Sequence, residues 1–216
     1  MIYQLFYDME RQDESIKKGT NTIYAQRSNL KEIEYVGIKK GYFEYIITNG
    51  KYIDDWPEVE FYYNSKTSSL ESEYLVNVVR WPIIHKKVKE EFEKQGITGI
   101  QYLPIKLTDE VTNKESNDYV VMNVLNMIEA IDLEKSEYKY NEKYDFYSFI
   151  PVTTYFDEEE CDKYDIFRAS KDKIDIYVSQ KIKDIVESNG WIGFEFSGRP
   201  MSQRENSKIK SSEKER

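Results

Sequence analysis

Apolar residues occur in short runs over the first seventy residues, and this pattern is typical of β-strands rather than of long helices. The runs are rich in aromatic and β-branched residues and cover 2–7, 22–25, 42–48 and 59–63. Asn49-Gly50 follows the third run and predicts a tight hairpin, because both residues tolerate a positive φ. The serine-rich segment 64–72 predicts a boundary between a β-rich subdomain, 1–72, and a second subdomain, 73–198.

Two later segments have the period of an amphipathic helix. In 81–95, Ile84, Val88 and Phe92 lie four residues apart and share one face, with lysines and glutamates on the other. The second helix follows Ser179, whose hydroxyl is predicted to accept a hydrogen bond from an amide of the first turn. Its predicted buried stripe is Ile182, Ile185 and Val186.

Strand-like runs surround both helices. They cover 74–79, 97–107, 119–125, 144–153, 174–178 and 191–196. Strands mixed with two helices predict an α+β fold with mixed, largely antiparallel sheets.

The two helical segments resemble each other. Residues 83–102 and 177–196 align without a gap at an offset of 94 and share five identities, two lysines, one glutamate and two glycines. Any short helix-glycine-strand element has some of this pattern, but the identities favour an internal duplication within 73–198.

Charge narrows the choice of partners. The chain has 40 acidic and 31 basic residues, a net charge of −9, and 15% of its residues are aromatic. An acidic surface repels nucleic acid and attracts a basic protein, although the same charge also serves solubility alone. The last eighteen residues, 199–216, lack periodicity and are predicted to be a disordered tail.

The predictions of cellular compartment and of catalytic activity depend mainly on sequence motifs that are absent. With Cys161 as the sole cysteine and no signal-like or membrane-length apolar run, we expect a cytoplasmic protein without a membrane partner. His85 is the sole histidine, so no standard zinc site can form, and no phosphate-binding glycine loop is present. The acidic neighbours of Cys161 should raise the pKa of its thiol, which argues against a nucleophile. We therefore predict no catalytic residue, cofactor or metal.

Acidic residues stand beside aromatic residues in two places. These are Asp54, Asp55 and Trp56, and then Tyr155, Phe156, Asp157, Glu158, Glu159, Glu160 and Asp162. Such a combination suits a protein interface, since aromatic anchors dominate binding energy and acids at the rim steer approach. A solvated loop and a metal or acid–base site are the alternatives for the second cluster, and Trp56 can equally belong to the core.

Three segments, 81–107, 119–138 and 164–197, together resemble a family of bacterial polymorphic-toxin immunity proteins long known only as a domain of unknown function. The matching positions are Asn126, Ala130, Ile131, Asp132, Ile166, Phe167, Arg168, Val178, Ser179, Lys183, Gly193 and Phe196. The resemblance spans about 75–197. The family often has a serine where His85 begins the earlier helix here.

The resemblance implies inhibition by binding: such a protein holds a cognate secreted or contact-delivered toxin and protects the producing cell. The resemblance implies no catalytic residue in this chain. The acidic clusters leave a metal-dependent hydrolase open as an alternative, and a general protein-interaction module is a third possibility.

Overall fold

A computed structural model of the chain describes residues 1–8, 24–25, 43–66, 72–77, 79–150 and 153–197. Within these ranges strands outnumber helices and most strand pairs are antiparallel, so the predicted α+β fold is confirmed. The helices are α1 (Lys86–Lys94), the single turn α2 (Glu158–Cys161) and α3 (Gln180–Ser188), with a 3-10 helix at Phe43–Thr48. None of the helices in the described ranges has the length and apolar character needed to cross a bilayer.

The strands form three sheets and a separate hairpin. They are β1 (Ile2–Tyr7), β2 (Tyr24–Ala25), β3 (Glu60–Tyr63), β4 (Tyr74–Leu75), β5 (Ile83–His85), β6 (Ile100–Pro104), β7 (Lys106–Asp109), β8 (Glu115–Ser116), β9 (Tyr119–Val124), β10 (Met127–Ile128), β11 (Tyr138–Asn141), β12 (Phe146–Phe149), β13 (Ile166–Ala169), β14 (Asp172–Ser179) and β15 (Phe194–Phe196). The sheet orders are β2-β3-β7-β8, β4-β5-β9-β6 and β10-β13-β14-β1-β15, and the hairpin is β11-β12.

Two of the sheets are built in the same way. In one, α1 connects β5 to β6, and β9 lies between these strands and runs antiparallel to both. In the other, α3 connects β14 to β15, and β1 occupies the same central place. The N-terminal strand therefore completes the second sheet from the opposite end of the chain.

The residue registers of these two sheets also coincide at the offset of 94. The equivalent pairs are Ile84–Val120 with Val178–Tyr3, Tyr102–Met122 with Phe196–Leu5, and Ile100–Val124 with Phe194–Tyr7. Gly96 and Gly190 both have a positive φ, as do Gly99 and Gly193 in the turns that lead into β6 and β15. Equal registers are what a duplication produces, and the common origin of the two units stays a prediction.

Three groups of buried apolar residues form the interior. The first core surrounds Trp81 and Phe61 and lies between β3, β7 and the 3-10 helix. The second core is shared by the two similar sheets, and both α1 and α3 bury their apolar faces in it. The third core lies beneath β10, β13 and β14 and contains Cys161.

Several local predictions are wrong. The run 42–48 is apolar and β-prone, yet residues 43–48 form the 3-10 helix, which buries Ile46 and Ile47 in the first core, so Asn49-Gly50 closes no hairpin. The first long helix starts at Lys86 rather than near residue 81, because Ile83 and Ile84 extend the sheet as β5.

Two further predictions need correction. The single strand expected over 97–107 is interrupted at Ile105, which is buried, and its two parts join different sheets as β6 and β7. Ser179 is the N-cap of α3, but its hydroxyl makes no cap hydrogen bond and donates instead to Asp165 Oδ1 at 2.7 Å.

The subdomain boundary at residue 72 does not separate independent sheets. β1 pairs with β14 and β15, and β3 pairs with β7, so strands from both sides of this boundary lie side by side. The predicted tail 199–216 lies outside the described residues, as does the first half of the predicted strand 22–25, whose second half is β2.

Candidate functional site

The acidic run that follows Phe156 forms the short helix α2. Asp157 is its N-cap, and its Oδ1 accepts a hydrogen bond from the Glu160 amide at 3.0 Å. Carboxylates suit this end of a helix, because the free amides there carry partial positive charge. The side chains of Asp157, Glu158 and Glu159 are exposed, as a binding role requires.

Two acids of this run have local charge partners. Glu160 lies 2.6 Å from the ammonium of Lys163, and Asp162 lies 3.5 Å from the N-terminal amine. Such exposed pairs contribute little to stability, but they reduce the negative charge offered to a partner. Glu158 and Glu159 are thus the carboxylates of this run best placed to attract a cation.

The aromatic residues predicted beside these acids are half buried. Phe156 forms a bridge with Ile131, and its ring centroid lies 5.0 Å from that of Tyr177 in the third core. Tyr155 joins the neighbouring segment through its backbone, where its amide donates to Ser136 Oγ at 2.9 Å. Through these contacts, the two residues that precede α2 are held against the third core and the neighbouring segment.

The other predicted cluster, Asp54 to Trp56, lies on a different core. Asp54 and Asp55 are exposed, whereas the Trp56 indole donates to the Pro104 carbonyl at 2.8 Å and packs beside Trp81 in the first core. Trp56 therefore has a packing role, and the two acidic clusters are attached to separate parts of the fold. Their part in binding stays a prediction.

The hairpin β11-β12 carries aromatic residues that the sequence argument did not select. Tyr138 faces Phe149 across the strands and Tyr140 faces Tyr147, so that four rings share one side. Ring centroids lie 4.6 Å apart for Tyr140 and Tyr147 and 5.2 Å apart for Tyr138 and Tyr147. Cross-strand aromatic pairs of this kind stabilise a hairpin that pairs with no further strand of the described ranges.

Exposed hydrophobic side chains lie on both faces of the hairpin, since Phe146 pairs with Asn141 and so faces away from the four rings. Eleven large hydrophobic side chains of the described residues are exposed, and five of them lie between positions 138 and 150. They are Tyr138, Tyr140, Tyr144, Phe146 and Ile150, with Tyr144 at 67% and Phe146 at 48% exposure. Scattered apolar residues are normal on a protein surface, but this concentration on one hairpin is typical of an interaction site.

The hairpin is joined to α2 by the segments before β11 and after β12, which pair with each other through backbone hydrogen bonds. Glu137 donates from its amide to the Thr153 carbonyl at 3.2 Å, Asp132 to Tyr155 at 3.0 Å, and Asp157 to Ala130 at 2.9 Å. These hydrogen bonds continue the hairpin pairing down to α2. We call β11, β12 and α2 together the hairpin surface.

Alternating aromatic and polar residues could have revealed the hairpin. The order Tyr138, Lys139, Tyr140 and then Phe146, Tyr147, Ser148, Phe149 surrounds a polar turn, which is a standard hairpin signal. The prediction of one strand over 144–153 missed its partner β11, and among the described residues of that range Phe146–Phe149 form a strand.

The structure also shows the surroundings of Cys161 and His85, the two residues considered for nucleophilic or metal chemistry. Cys161 is buried, and its pKa is raised to about 12 by that burial and by the surrounding acids, so the predicted direction of the shift is confirmed. His85 caps α1, its Nδ1 accepting from the Lys87 amide at 3.1 Å. Within the described ranges, no three histidine, cysteine or acidic side chains lie close enough to hold a metal ion.

Comparison with known proteins gives one match. The model of the immunity protein family Imm11 matches residues 5–199, which is most of the chain. A search of the curated proteins finds no match.

Proposed function

Since the chain belongs to the Imm11 immunity protein family, we propose that it binds and neutralises a cognate bacterial toxin and so protects the cell that produces both. The toxin would be secreted or delivered by contact, and the protection would take place in the cytoplasm. The exposed aromatic hairpin, joined through backbone hydrogen bonds to an acidic helical turn, is the observation that supports a binding mechanism.

The hairpin surface has the composition of a contact site. Tyrosine and phenylalanine offer a large rigid area at a small cost in side-chain entropy, and they are frequent among residues that dominate binding energy. Glu158 and Glu159 lie on α2, at the other end of the paired segments that lead to the hairpin, and neither has an ion pair among the described residues. We propose that the aromatic rings anchor the toxin while these acids attract basic residues around its active site.

This mechanism needs no bond-making step in the immunity protein. Covering the toxin's substrate site is sufficient, and the acidic side chains would occupy the place of an anionic substrate. The metal-dependent hydrolase alternative has no ligand cluster in the described ranges as a starting point. A general interaction module remains distinguishable by experiment, because it would not protect against a specific toxin.

The first test is co-expression with the toxin gene that neighbours this one. We expect cells that produce the toxin alone to die and cells that also produce this chain to grow. A toxin of another system should kill in both cases. Death despite soluble expression of the chain would refute the immunity function.

A second prediction concerns the rate of association. Glu158→Gln with Glu159→Gln should slow association with the toxin by roughly 3- to 10-fold at low salt, because two steering charges are lost. Added salt should reduce the difference, since the Debye length falls to about 8 Å at physiological ionic strength. Stopped-flow fluorescence measures both effects.

Glu90→Gln is the matched control for this prediction, because Glu90 is also an exposed helical glutamate but lies on α1. It should leave the association rate unchanged. If the control slows association equally, or the double variant has no effect, the proposal that α2 steers association is wrong. The proposed immunity function would not be contradicted by either result.

A further inference from the structure

A cavity of about 550 Å³ lies where β1 and β14 separate. The two strands pair as far as Leu5 and Ile176, and beyond that point β1 continues beside β15 alone. Tyr7 and Tyr74 stack on its wall with ring centroids 4.5 Å apart. The volume is in the range of small-molecule sites, which are mostly apolar with a few well-placed polar groups.

One of those polar groups is the side chain of Arg168, which is only 2% exposed. Its Nη1 donates to the carbonyls of Lys173, at 3.1 Å, and of Ile174. Its Nε is buried and has no hydrogen-bond partner among the residues that the structure describes. A buried guanidinium whose donors are not all satisfied is costly, and its charge on the cavity wall favours an anionic occupant.

A second arginine stands at the cavity rim. Arg80 is exposed and has a φ of 57°, a left-handed conformation that is rare for a residue with a side chain. Its amide donates to the Asn77 carbonyl at 3.1 Å, which closes the turn and places Arg80 beside the opening. Strained residues of this kind are concentrated at ligand-binding positions.

The acids near the cavity only partly balance these arginines. Burial and the neighbouring Asp172 raise the pKa of Asp175, which favours the neutral form of this carboxyl. Burial lowers the pKa of Arg168 to about 10, which still leaves it charged. Tyr7 and Tyr74 are neutral because burial raises their pKa values, and Glu195 lies exposed on β15.

We propose that this cavity binds a small organic carboxylate, with the anionic group between Arg80 and Arg168 and the apolar body against Tyr7 and Tyr74. A guanidinium group suits a carboxylate because its planar N–H groups match the two oxygens. The proposal does not rest on the proposed function, since the cavity lies within this chain alone.

Calorimetry with 3-phenylpropionate and its neutral amide, 3-phenylpropionamide, tests the proposal on the purified chain. The carboxylate should bind with a dissociation constant below about 1 mM, and the amide should bind at least about 10-fold more weakly, as loss of a charged hydrogen bond predicts. Absence of carboxylate binding, or equal binding of the amide, would overturn the proposal.

Variants at the cavity rim localise the binding without disturbing the buried arginine. Arg80→Gln should weaken carboxylate binding roughly 5- to 10-fold, and Ile174→Trp should block it by filling the opening. Ile150→Trp is the matched control, because Ile150 is similarly exposed, at 46% against 53% for Ile174, but lies on the hairpin. Unchanged binding in both cavity variants would place the carboxylate elsewhere and refute the site.

Addition of the cognate toxin distinguishes two sources of the carboxylate. Displacement of the probe by the toxin would assign the anionic group to a toxin side chain, and retention of the probe would assign it to a free metabolite. Either result upholds the cavity as a carboxylate site.

Discussion

Gly193→Ala should destabilise the protein by roughly 2–5 kcal/mol, from backbone strain and a steric clash together. Gly193 has a φ of 95°, and a Cβ placed there would lie 2.3 Å from the Tyr74 carbonyl oxygen. That oxygen belongs to β4, a strand of the other similar sheet. Neither backbone can move freely, since the Ile192 carbonyl accepts from the amides of Glu73 and Tyr74 at 3.0 and 3.3 Å.

Gly190→Ala is the matched control for this substitution. Gly190 also has a positive φ, 63°, but no atom lies within 4 Å of the position that its Cβ would take. Alanine there should cost only about 1–2 kcal/mol, from backbone strain alone. Urea unfolding of both variants measures the difference, and equal losses would show that the contact between the Gly193 turn and β4 is not a tight one.

The second large effect should come from the hairpin. Tyr144→Ala with Phe146→Ala should weaken toxin binding by at least about 30-fold, because truncation of a dominant interface residue costs about 2 kcal/mol or more. Folding should be nearly unaffected, since both side chains are exposed and surface substitutions change stability little. Surface plasmon resonance with the purified toxin measures the affinity.

Tyr45→Ala with Tyr52→Ala provides the comparison. These tyrosines lie outside the hairpin. Their exposed fractions, 52% and 65%, are similar to the 48% of Phe146 and the 67% of Tyr144. Full affinity in this control, together with a loss in the hairpin variant, would assign binding to the hairpin surface. Full affinity in the hairpin variant would move the toxin contact to another face.

Features set by neighbouring residues could be predicted from the sequence. The apolar period of α1 and α3, the glycines that follow them and the alternating strands all depend on local patterns, and the structure contains them. The error at residues 43–48 has a physical cause. A short apolar run buries its isoleucines equally well in a 3-10 helix or in a strand, and packing on the first core decides between them.

Features set by distant residues could not be predicted in this way. Nothing local to residues 2–7 indicates that β1 completes a sheet with β14 and β15, which begin at Asp172 and Phe194. The exposure of Glu158 and Glu159 follows from composition, but the pairing of Glu160 with Lys163 depends on the helical turn. The burial of Arg168 in a mainly apolar sheet has no signal in its neighbours.

The most direct test of inhibition by binding is a titration of purified toxin activity with purified chain. We predict that activity falls linearly to zero at a fixed molar ratio and that longer incubation changes nothing, because each molecule covers a set amount of toxin. Progressive inactivation by a small fraction of an equivalent would reveal turnover, and full activity in excess chain would exclude inhibition. Either result would contradict this account.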